Sequence, residues 1–362
     1  MEPAKRSGKV LHLIHSLEIG GLERVTLDLA QRSRRAGLEH EILLLDHPCR
    51  GPEIDYDPGD VPVRLMGRKD GFDMALVRRL RAEFRAADGV AVNAQNATPI
   101  FYAAMASRRL GADRPTLVGT FHTVPHYGGW LARNMTRWAT GRMKHVLAVS
   151  EDLTQRVVQA GWSVPTRTLL NGVDTEKFAP RSEARRDGPM RVAMLARFFD
   201  GKRQDELIEA ARRLARVGGP IEVTMAGQGP HWQALHDQAL KVPGCRVIPP
   251  VHDVAGLLRD HDVFTLCSDH EGMPMSIIEG MACGLACVAS AVGGIPALLG
   301  EGEHAAGLLF PAGDVQALTD VLGRLAADPV LRERLGQLAR ERARRFSFEE
   351  QWKSYCRLWY GE

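Results

Sequence analysis

The 362-residue sequence predicts an α/β protein of two domains, each a parallel sheet with helices on both faces. Three observations predict it. Short apolar runs alternate with longer segments of helical apolar spacing, as expected of parallel strands joined by crossover helices. The alternation stops at the polar, proline-bracketed segment Pro180–Pro189 and then restarts. The length also exceeds the ~250–300 residues at which a single core stops growing.

In the first domain, Val10–Leu17 is a buried strand and Leu22–Ala36 a helix stopped by Gly37. His40–Leu45 and Val63–Met66 are strands flanking the loop Pro48–Pro62, and Met74–Ala87 is a basic amphipathic helix. Val90–Ala94, Thr116–Phe121, His145–Val149 and Thr166–Leu170 are the remaining strands. Between them lie the helices Pro99–Leu110, Tyr127–Met143 and Glu151–Ala160, the last capped by Ser150. In the second domain the strands are Met190–Ala196, Ile221–Ala226, Arg246–Ile248, Asp262–Cys267, an apolar run after Cys283, and Gly307–Phe310. Its helices are Gln204–Ala215, His231–Leu240, Val254–Arg259, Val315–Ala327 and Val330–Arg345. Phe348–Tyr360 carries Trp352, Tyr355, Trp359 and Tyr360 at roughly helical spacing, too apolar for a free tail. The expected organisation is therefore residues 1–180, residues 181–345, and a helix in residues 346–362 crossing back to the first domain.

Composition narrows the function classes. Apolar content of 44% and charged content of 25% are those of an ordinary globular protein. The net charge is +3, with 25 Lys+Arg against 20 Asp+Glu over residues 1–180 and 22 against 24 over the rest, so no strong field points to nucleic acid. Six scattered cysteines lack zinc spacing and read as buried thiols, which suits a reducing cytoplasm. Val10–Leu17 is too short and too polar, at His12 and His15, for a signal peptide or a membrane span, so any membrane contact is peripheral. Tyr127–Lys144, basic with two tryptophans, is either an interfacial patch or a buried tryptophan stripe with solvated arginines.

The chemistry concentrates at strand ends, where open α/β sheets bind ligands. Asp269–Pro296 runs strand end, loop, helix, strand, loop, and holds Glu271 and Glu279 with seven residues between them. Gly272, Met273, Met275 and Ser276 could present helix-start amides to phosphate, whereas Pro274 has none. Ser276 and Glu279 equally fit a capping box. Arg197 and Lys202, just past the first strand of the second domain, suit a diphosphate whose charge grows as it leaves, or form a solvated pair beside Asp200 and Arg203. Gly20-Gly21 would admit a ligand close to the backbone, or is a plain strand–helix turn. His122 ends a strand and is either structural or faces a cleft. Neither Gly20-Gly21-Leu22 nor Gly227-Gln228-Gly229-Pro230 completes a dinucleotide fingerprint, which argues against a nicotinamide enzyme.

In their order and spacing these residues resemble the retaining glycosyltransferases of family 4, built on the two-domain GT-B fold. The matching pieces are Gly20-Gly21-Leu22-Glu23, His122, Ser150-Glu151, Asn171-Gly172-Val173-Asp174, Arg197 with Lys202, and Gly227-Gln228-Gly229-Pro230. They continue with Glu271-Gly272-Met273-Pro274, Glu279, Gly293-Gly294-Ile295-Pro296 and Pro311-Ala312-Gly313-Asp314. The resemblance implies transfer of a hexose from a nucleotide sugar, UDP-linked, to a hydroxyl acceptor, with retention and with neither a catalytic metal nor a further cofactor. It implies that Glu271 meets the donor sugar and Glu279 the ribose, and that Arg197 and Lys202 hold the diphosphate. Gly20 and Gly21 would close over the phosphates, His122 would meet the sugar, and Val251 would lie near the base. Its members serve cell-surface polysaccharide, lipopolysaccharide, glycolipid and specialised-metabolite pathways, and Val10–Ala30 leans towards the polysaccharide group. The other readings are a non-catalytic nucleotide-sugar-binding protein, or an epimerase or phosphorylase, on the same fold. Three departures stand out: Gly280 where alanine is usual, Arg203 where glycine is common, and Ala297 where glutamate often stands. Gly280 would cost ~1 kcal/mol of helix stability against alanine, and Arg203 would add charge near the phosphates.

Overall fold

The structure is a computed structural model that describes residues 8–18, 20–45, 56–86, 91–111, 114–123, 129–159, 165–182, 188–219, 221–300 and 302–361. The chain divides into two compact units, residues 1–170 with 349–362, and residues 171–348.

The first unit contains β1 (Val10–Ile14), α1 (Gly21–Arg35), β2 (His40–Leu44), β3 (Val63–Leu65), α2 (Met74–Ala86), β4 (Ala91–Gln95) and α3 (Ala97–Ser107). It continues with β5 (Thr116–Phe121), α4 (Trp130–Thr140), β6 (His145–Ala148), α5 (Glu151–Gln159) and β7 (Thr166–Thr168). Its seven strands form one parallel sheet in the order β3-β2-β1-β4-β5-β6-β7. The central strands are buried along their whole length, which is why they read as apolar runs rather than alternating patterns. The order reverses between β1 and β4, so the loops after those strands diverge there.

The second unit contains β8 (Met190–Leu195), α6 (Gln204–Arg216), β9 (Ile221–Ala226), α7 (Trp232–Ala239), β10 (Cys245–Ile248), α8 (Val254–Arg259), β11 (Val263–Leu266) and α9 (Met275–Ala282). It ends with β12 (Ala286–Ser290), α10 (Ile295–Leu299), β13 (Gly307–Phe310), α11 (Val315–Ala327) and α12 (Pro329–Ala343). Six strands form a parallel sheet in the order β10-β9-β8-β11-β12-β13, reversing between β8 and β11.

The second unit begins before the segment Pro180–Pro189, of which residues 183–187 lie outside the described residues. The physical reason is that residues 171–180 are already stitched to it. Val173 N donates to Phe346 O (2.8 Å), and Phe348 N to Val173 O (3.2 Å). The Arg340 guanidinium donates to Thr175 O and Phe178 O.

The last helix, α13 (Phe348–Tyr360), packs on the first unit. Trp359 sits edge-on against His12 of β1 and His40 of β2. Tyr355 meets Thr120 of β5 (3.1 Å), and Trp352 Nε1 donates to Ser33 of α1 (2.9 Å). Arg32 covers the Trp352 ring at 3.9 Å and pairs with Glu349. The aromatic spacing of the tail is thus the buried face of a helix.

Candidate active site

In the second unit, β8 and β11 are neighbours, so the loops after Leu195 and Leu266 leave the sheet side by side where the strand order reverses. Those loops carry Arg197, Lys202 and Glu271. Lys202 Nζ donates to Glu271 Oε1 at 2.6 Å, and Ser268 Oγ donates to the same oxygen at 2.7 Å. The Lys202 and Glu271 side chains are 24% and 12% exposed, so this ion pair is partly shielded from water. Arg197 is exposed, lies over the Phe199 ring at 5.4 Å, and has no carboxylate partner among the described residues.

Glycines hold these loops in place. The turn at Gly227–Pro230 packs on Ala196–Phe198: a Cβ on Gly227 would stand 2.0 Å from Ala196 O, and Phe198 N donates to Gln228 O (2.7 Å). Gly293, with φ +52°, lies under Glu271, where a Cβ would come 1.8 Å from the Glu271 carbonyl oxygen. The Gly-Gly turn that reads in sequence as a loop is therefore a floor against the backbone of the residue that bears the first carboxylate. It leads directly into α10, a five-residue helix with proline in its first turn that has no clear sequence signal.

Arg203 behaves differently from the expectation. It takes a left-handed conformation (φ 51°, ψ 40°) at the start of α6, which explains why glycine suits that position. Its guanidinium forms two bonds to Asp269 (2.9 and 3.1 Å), so its charge is neutralised there rather than added to a phosphate site. Gly280 also differs: a Cβ there would meet Phe264 of β11 at 2.9 Å, so the glycine is matched to a bulky neighbour and is not simply a weak point in α9.

The capping box does not form. α9 begins at Met275 with Pro274 at its N-cap and no side-chain cap bond, which places Ser276 inside the helix. Ile277 N bonds to Pro274 O (3.2 Å), while the amides of Met275 and Ser276 precede any in-helix acceptor. Met273 and Met275 are buried, and Gly272 and Glu279 are half-buried. Val251 lies half-buried on the loop between β10 and α8. Among the described residues there is no cluster of three or more His, Cys, Asp or Glu side chains that could hold a metal ion.

In the first unit, Gly20, Gly21 and His122 lie on one edge of the sheet, at the carboxyl ends of its strands. Gly20 is extended (φ −172°) and caps α1, so it relieves no backbone strain. A Cβ there would instead crowd the Glu23 carboxylate at 2.1 Å, and the Gly20 backbone bonds to the Tyr56 hydroxyl. His122 is gripped at two points by the end of β4. Its amide donates to Asn96 Oδ1 (2.9 Å), and its Nε2 lies 2.9 Å from Gln95 Oε1. Burial lowers the His122 pKa to about 4, which keeps the ring neutral near pH 7. Asn96 holds a positive φ (66°) at this junction. Sequence reasoning missed Gln95, Asn96 and Ser268. No motif marks them, and only their position one strand away from His122 or three residues from Glu271 could have drawn attention.

Tyr127 lies outside the described residues, and the helix there begins at Trp130. The tryptophan stripe is not buried throughout: Trp130 is 79% exposed, while Trp138 is half-buried under Arg142 at 3.9 Å. No helix among the described residues is long and apolar enough to cross a membrane. The five described cysteines are free thiols, and burial pushes Cys283 up to about 12.

Comparison with known proteins agrees with this geometry. The family profile Glycosyltransferase Family 4 matches residues 19–177, and the profile Glycosyl transferases group 1 matches residues 175–342. The amylovoran biosynthesis glycosyltransferase AmsK of Erwinia amylovora is 34% identical over 170 residues, 43% of this chain and 40% of AmsK. The GDP-mannose-dependent alpha-(1-6)-phosphatidylinositol monomannoside mannosyltransferase of Mycolicibacterium smegmatis is 31% identical over 264 residues, 64% of this chain and 66% of that protein. The lipopolysaccharide core biosynthesis glycosyltransferase LpsE of Rhizobium meliloti is 24% identical over 337 residues, 91% of this chain and 88% of LpsE. With AmsK and similar relatives the chain spans only 38–47% of their length. The crystal structure of Anabaena HepE in complex with UDP-glucose superposes with a TM-score of 0.80 at 20% identity, covering 97% of this chain and 98% of HepE, which establishes the shared GT-B fold. With the two profiles running without a gap from residue 19 to residue 342, the chain belongs to the family-4, group 1 glycosyltransferases.

Proposed function

We propose that this protein moves a hexose from a nucleotide sugar to a hydroxyl acceptor in the assembly of cell-surface polysaccharide or glycolipid, with retention and without a catalytic metal. The observation that carries the proposal is the Lys202–Glu271 pair, set where the second sheet reverses its order. A diphosphate oxygen would compete with the carboxylate for the Lys202 ammonium. Lys202, Arg197 and the first amides of α9 would then balance the charge that grows on the departing diphosphate. Glu271, released from the lysine but still held by Ser268, would accept bonds from sugar hydroxyls. Glu279 would take the ribose, Val251 would border the base, and neutral His122 would meet the sugar. Gly20 and Gly21 would admit the phosphates close to the backbone. The names of the relatives support two donor classes, UDP-glucose bound by HepE and GDP-mannose used by the mycobacterial enzyme. We favour the UDP sugar as donor and polysaccharide as acceptor, the latter from AmsK and LpsE.

A thermal-shift screen with UDP-, GDP-, ADP- and TDP-sugars tests the donor site. A donor at ~100 times its Kd should add about 2.7 kcal/mol of stability. Glu271→Ala and Lys202→Ala should abolish transfer while unfolding stays cooperative. Full transfer by either variant, or no shift with any nucleotide, would overturn the proposal.

The proposal includes work in the cytoplasm, in contact with the inner face of a membrane bearing anionic phospholipid. The support lies in the first unit. Trp130, Leu131 and Phe72 are 79%, 64% and 53% exposed. A groove of about 420 Å3 nearby is lined by Phe72, Phe101, Met105, Met135, Trp138 and Arg108. Arg108 and Arg114 lie near enough to Arg142 to add to the burial that lowers its pKa. Apolar side chains beside crowded guanidinium groups complement an anionic lipid surface.

A further inference from the structure

Ser268 follows β11 by one residue, and Ser290 ends β12, the parallel neighbour of that strand. Both serines are fully buried. The Ser290 hydroxyl donates to Ser268 O (2.6 Å), which pins the backbone from which the Ser268 side chain projects. The Ser268 hydroxyl donates in turn to Glu271 Oε1 (2.7 Å), the oxygen that also takes the Lys202 ammonium. Two donors therefore meet on one carboxylate oxygen, and no hydrogen bond among the described residues reaches the other, Oε2. The main chain around Glu271 is held independently. Asp269 N donates to Gly201 O (2.8 Å), and Gly294 N to Glu271 O (3.4 Å). With the backbone held, what remains to be set is the freedom of the long glutamate side chain, and among the described residues the two bonds to Oε1 set it. Those bonds are unequal. The Lys202 ammonium ends a flexible, partly exposed chain that a diphosphate can draw away. The serine hydroxyl sits on a short, buried side chain that stays where it is.

We propose that Ser268 is a positioning residue for donor-sugar selectivity, which holds Glu271 by Oε1 so that Oε2 is aimed at particular hydroxyls of the sugar. This rests on the role proposed above for Glu271. Before the donor arrives, Lys202 and Ser268 share Oε1, and the carboxylate is already turned. When the lysine pairs with the diphosphate, the bond from Ser268 keeps Oε1 in place. The glutamate then accepts from the sugar without first having to give up side-chain freedom. Ser290 acts one step further back, through the Ser268 carbonyl. A firmly aimed acceptor discriminates against a sugar that lacks the matching hydroxyl, whereas a loosely held carboxylate turns to another hydroxyl or to water. Ser268 therefore controls selectivity at the sugar and leaves affinity for the nucleotide alone.

Isothermal titration calorimetry of the full chain, without acceptor, reads this selectivity. The ligands are the free nucleoside diphosphate, the nucleotide sugar that gives the largest shift in the thermal screen, and the monodeoxy forms of that nucleotide sugar. The wild type should bind at least one deoxy form about tenfold or more weakly than the parent, the loss expected when a charged acceptor is left without its donor. Ser268→Ala should shrink that penalty to within about threefold, with Kd for the free nucleoside diphosphate within about threefold of wild type. Its kcat with the parent donor should fall about tenfold or more. Ser290→Ala should move the same penalty in the same direction by a smaller factor. A serine with only a structural role would lower Tm and leave the deoxy penalty intact. A wild type without the penalty, a penalty unchanged in Ser268→Ala, or an equal loss for every ligand including the free nucleotide would overturn the proposal. Should Ser268→Ala fail to unfold cooperatively, Ser290→Ala carries the test by the same criterion. Glu271→Ala runs beside them: if it keeps the wild-type penalty, the Glu271 role itself falls, whereas a penalty lost there and kept in Ser268→Ala removes the positioning role alone.

Discussion

The Gly293 floor beneath Glu271 gives a prediction whose size follows from geometry. In Gly293→Ala the new Cβ would stand 1.8 Å from the Glu271 carbonyl oxygen, whereas ordinary contact begins at 3.4 Å. One of the two segments must therefore move by more than an ångström. The left-handed φ of +52° adds roughly 1 kcal/mol for any residue with a Cβ, and forced overpacking adds about 1–3 kcal/mol. The expected destabilisation is about 2–4 kcal/mol, with each kcal/mol lowering Tm by ~2–4 °C for a unit of this size. A carboxylate displaced by an ångström should cost on the order of 100-fold in kcat/KM. Gly218→Ala is the control, because its φ is +77° with nothing within 4 Å of the added Cβ. It should lose only the backbone contribution and keep full activity. The assay is differential scanning fluorimetry alongside steady-state kinetics with the donor returned by the thermal-shift screen. If Gly293→Ala transfers sugar within twofold of wild type, the floor does not position Glu271.

The remaining predictions concern acid stability, core matching and lipid contact. Burial lowers the pKa of His12 to about 3, of His122 to about 4, and of His40 well below its ordinary 6.5. Since the unfolded chain binds these protons more readily, stability is fully present above pH 6.5 and is lost as pH falls towards the native values, by up to about 1.4 kcal/mol per pH unit for each histidine. Tm should drop steeply between pH 6.5 and 5, and His12→Asn should flatten that slope; a flat wild-type profile would refute it. Gly280→Ala should destabilise by about 1 kcal/mol despite the better helix propensity of alanine, because the Cβ meets Phe264 at 2.9 Å. A double-mutant cycle with Phe264→Leu should show coupling of about 1 kcal/mol, and zero coupling would separate the two positions. Vesicles containing phosphatidylglycerol should sediment the protein at low salt and neutral vesicles should not, with Trp130→Ser and Arg108→Glu each weakening retention several-fold. Equal binding to both vesicle types, or to neither, would exclude the anionic surface as partner.

Much of the architecture was legible because each parallel strand is buried on both faces and therefore writes itself as a short apolar run. Val10–Ile14 and Ile221–Ala226 are of this kind, and their ends were found to within a few residues. The unit boundary was less legible. The charged, proline-bracketed segment marks a change of composition, whereas residues 171–180 are bound to the second unit by backbone bonds that composition does not encode. The Ser276–Glu279 spacing suggested a cap, but Pro274 starts the helix earlier and moves the serine inside it. Arg203 looked like an extra phosphate charge because only the fold brings Asp269 to it, from a position far along the chain. At the candidate site, Lys202 and Glu271 were legible as residue types at strand ends. Gln95 was not, since its importance depends on the β4–β5 register that sets it beside His122.

The return of α13 to the first unit has a consequence for how the protein is made. The first sheet is translated early, yet Trp359 and Tyr355, which cover His12, His40 and Thr120, emerge only after the whole of the second unit. The second unit is continuous in sequence and can complete its core as it leaves the ribosome. The first must wait with a polar-studded sheet face uncovered, which is an opportunity for chaperone capture or for proteolysis of nascent chains. Ribosome stalling or premature termination just before residue 349 would therefore leave a finished second unit joined to an unfinished first one. Docking of α13 on the first sheet therefore waits until synthesis has passed the whole of the second unit.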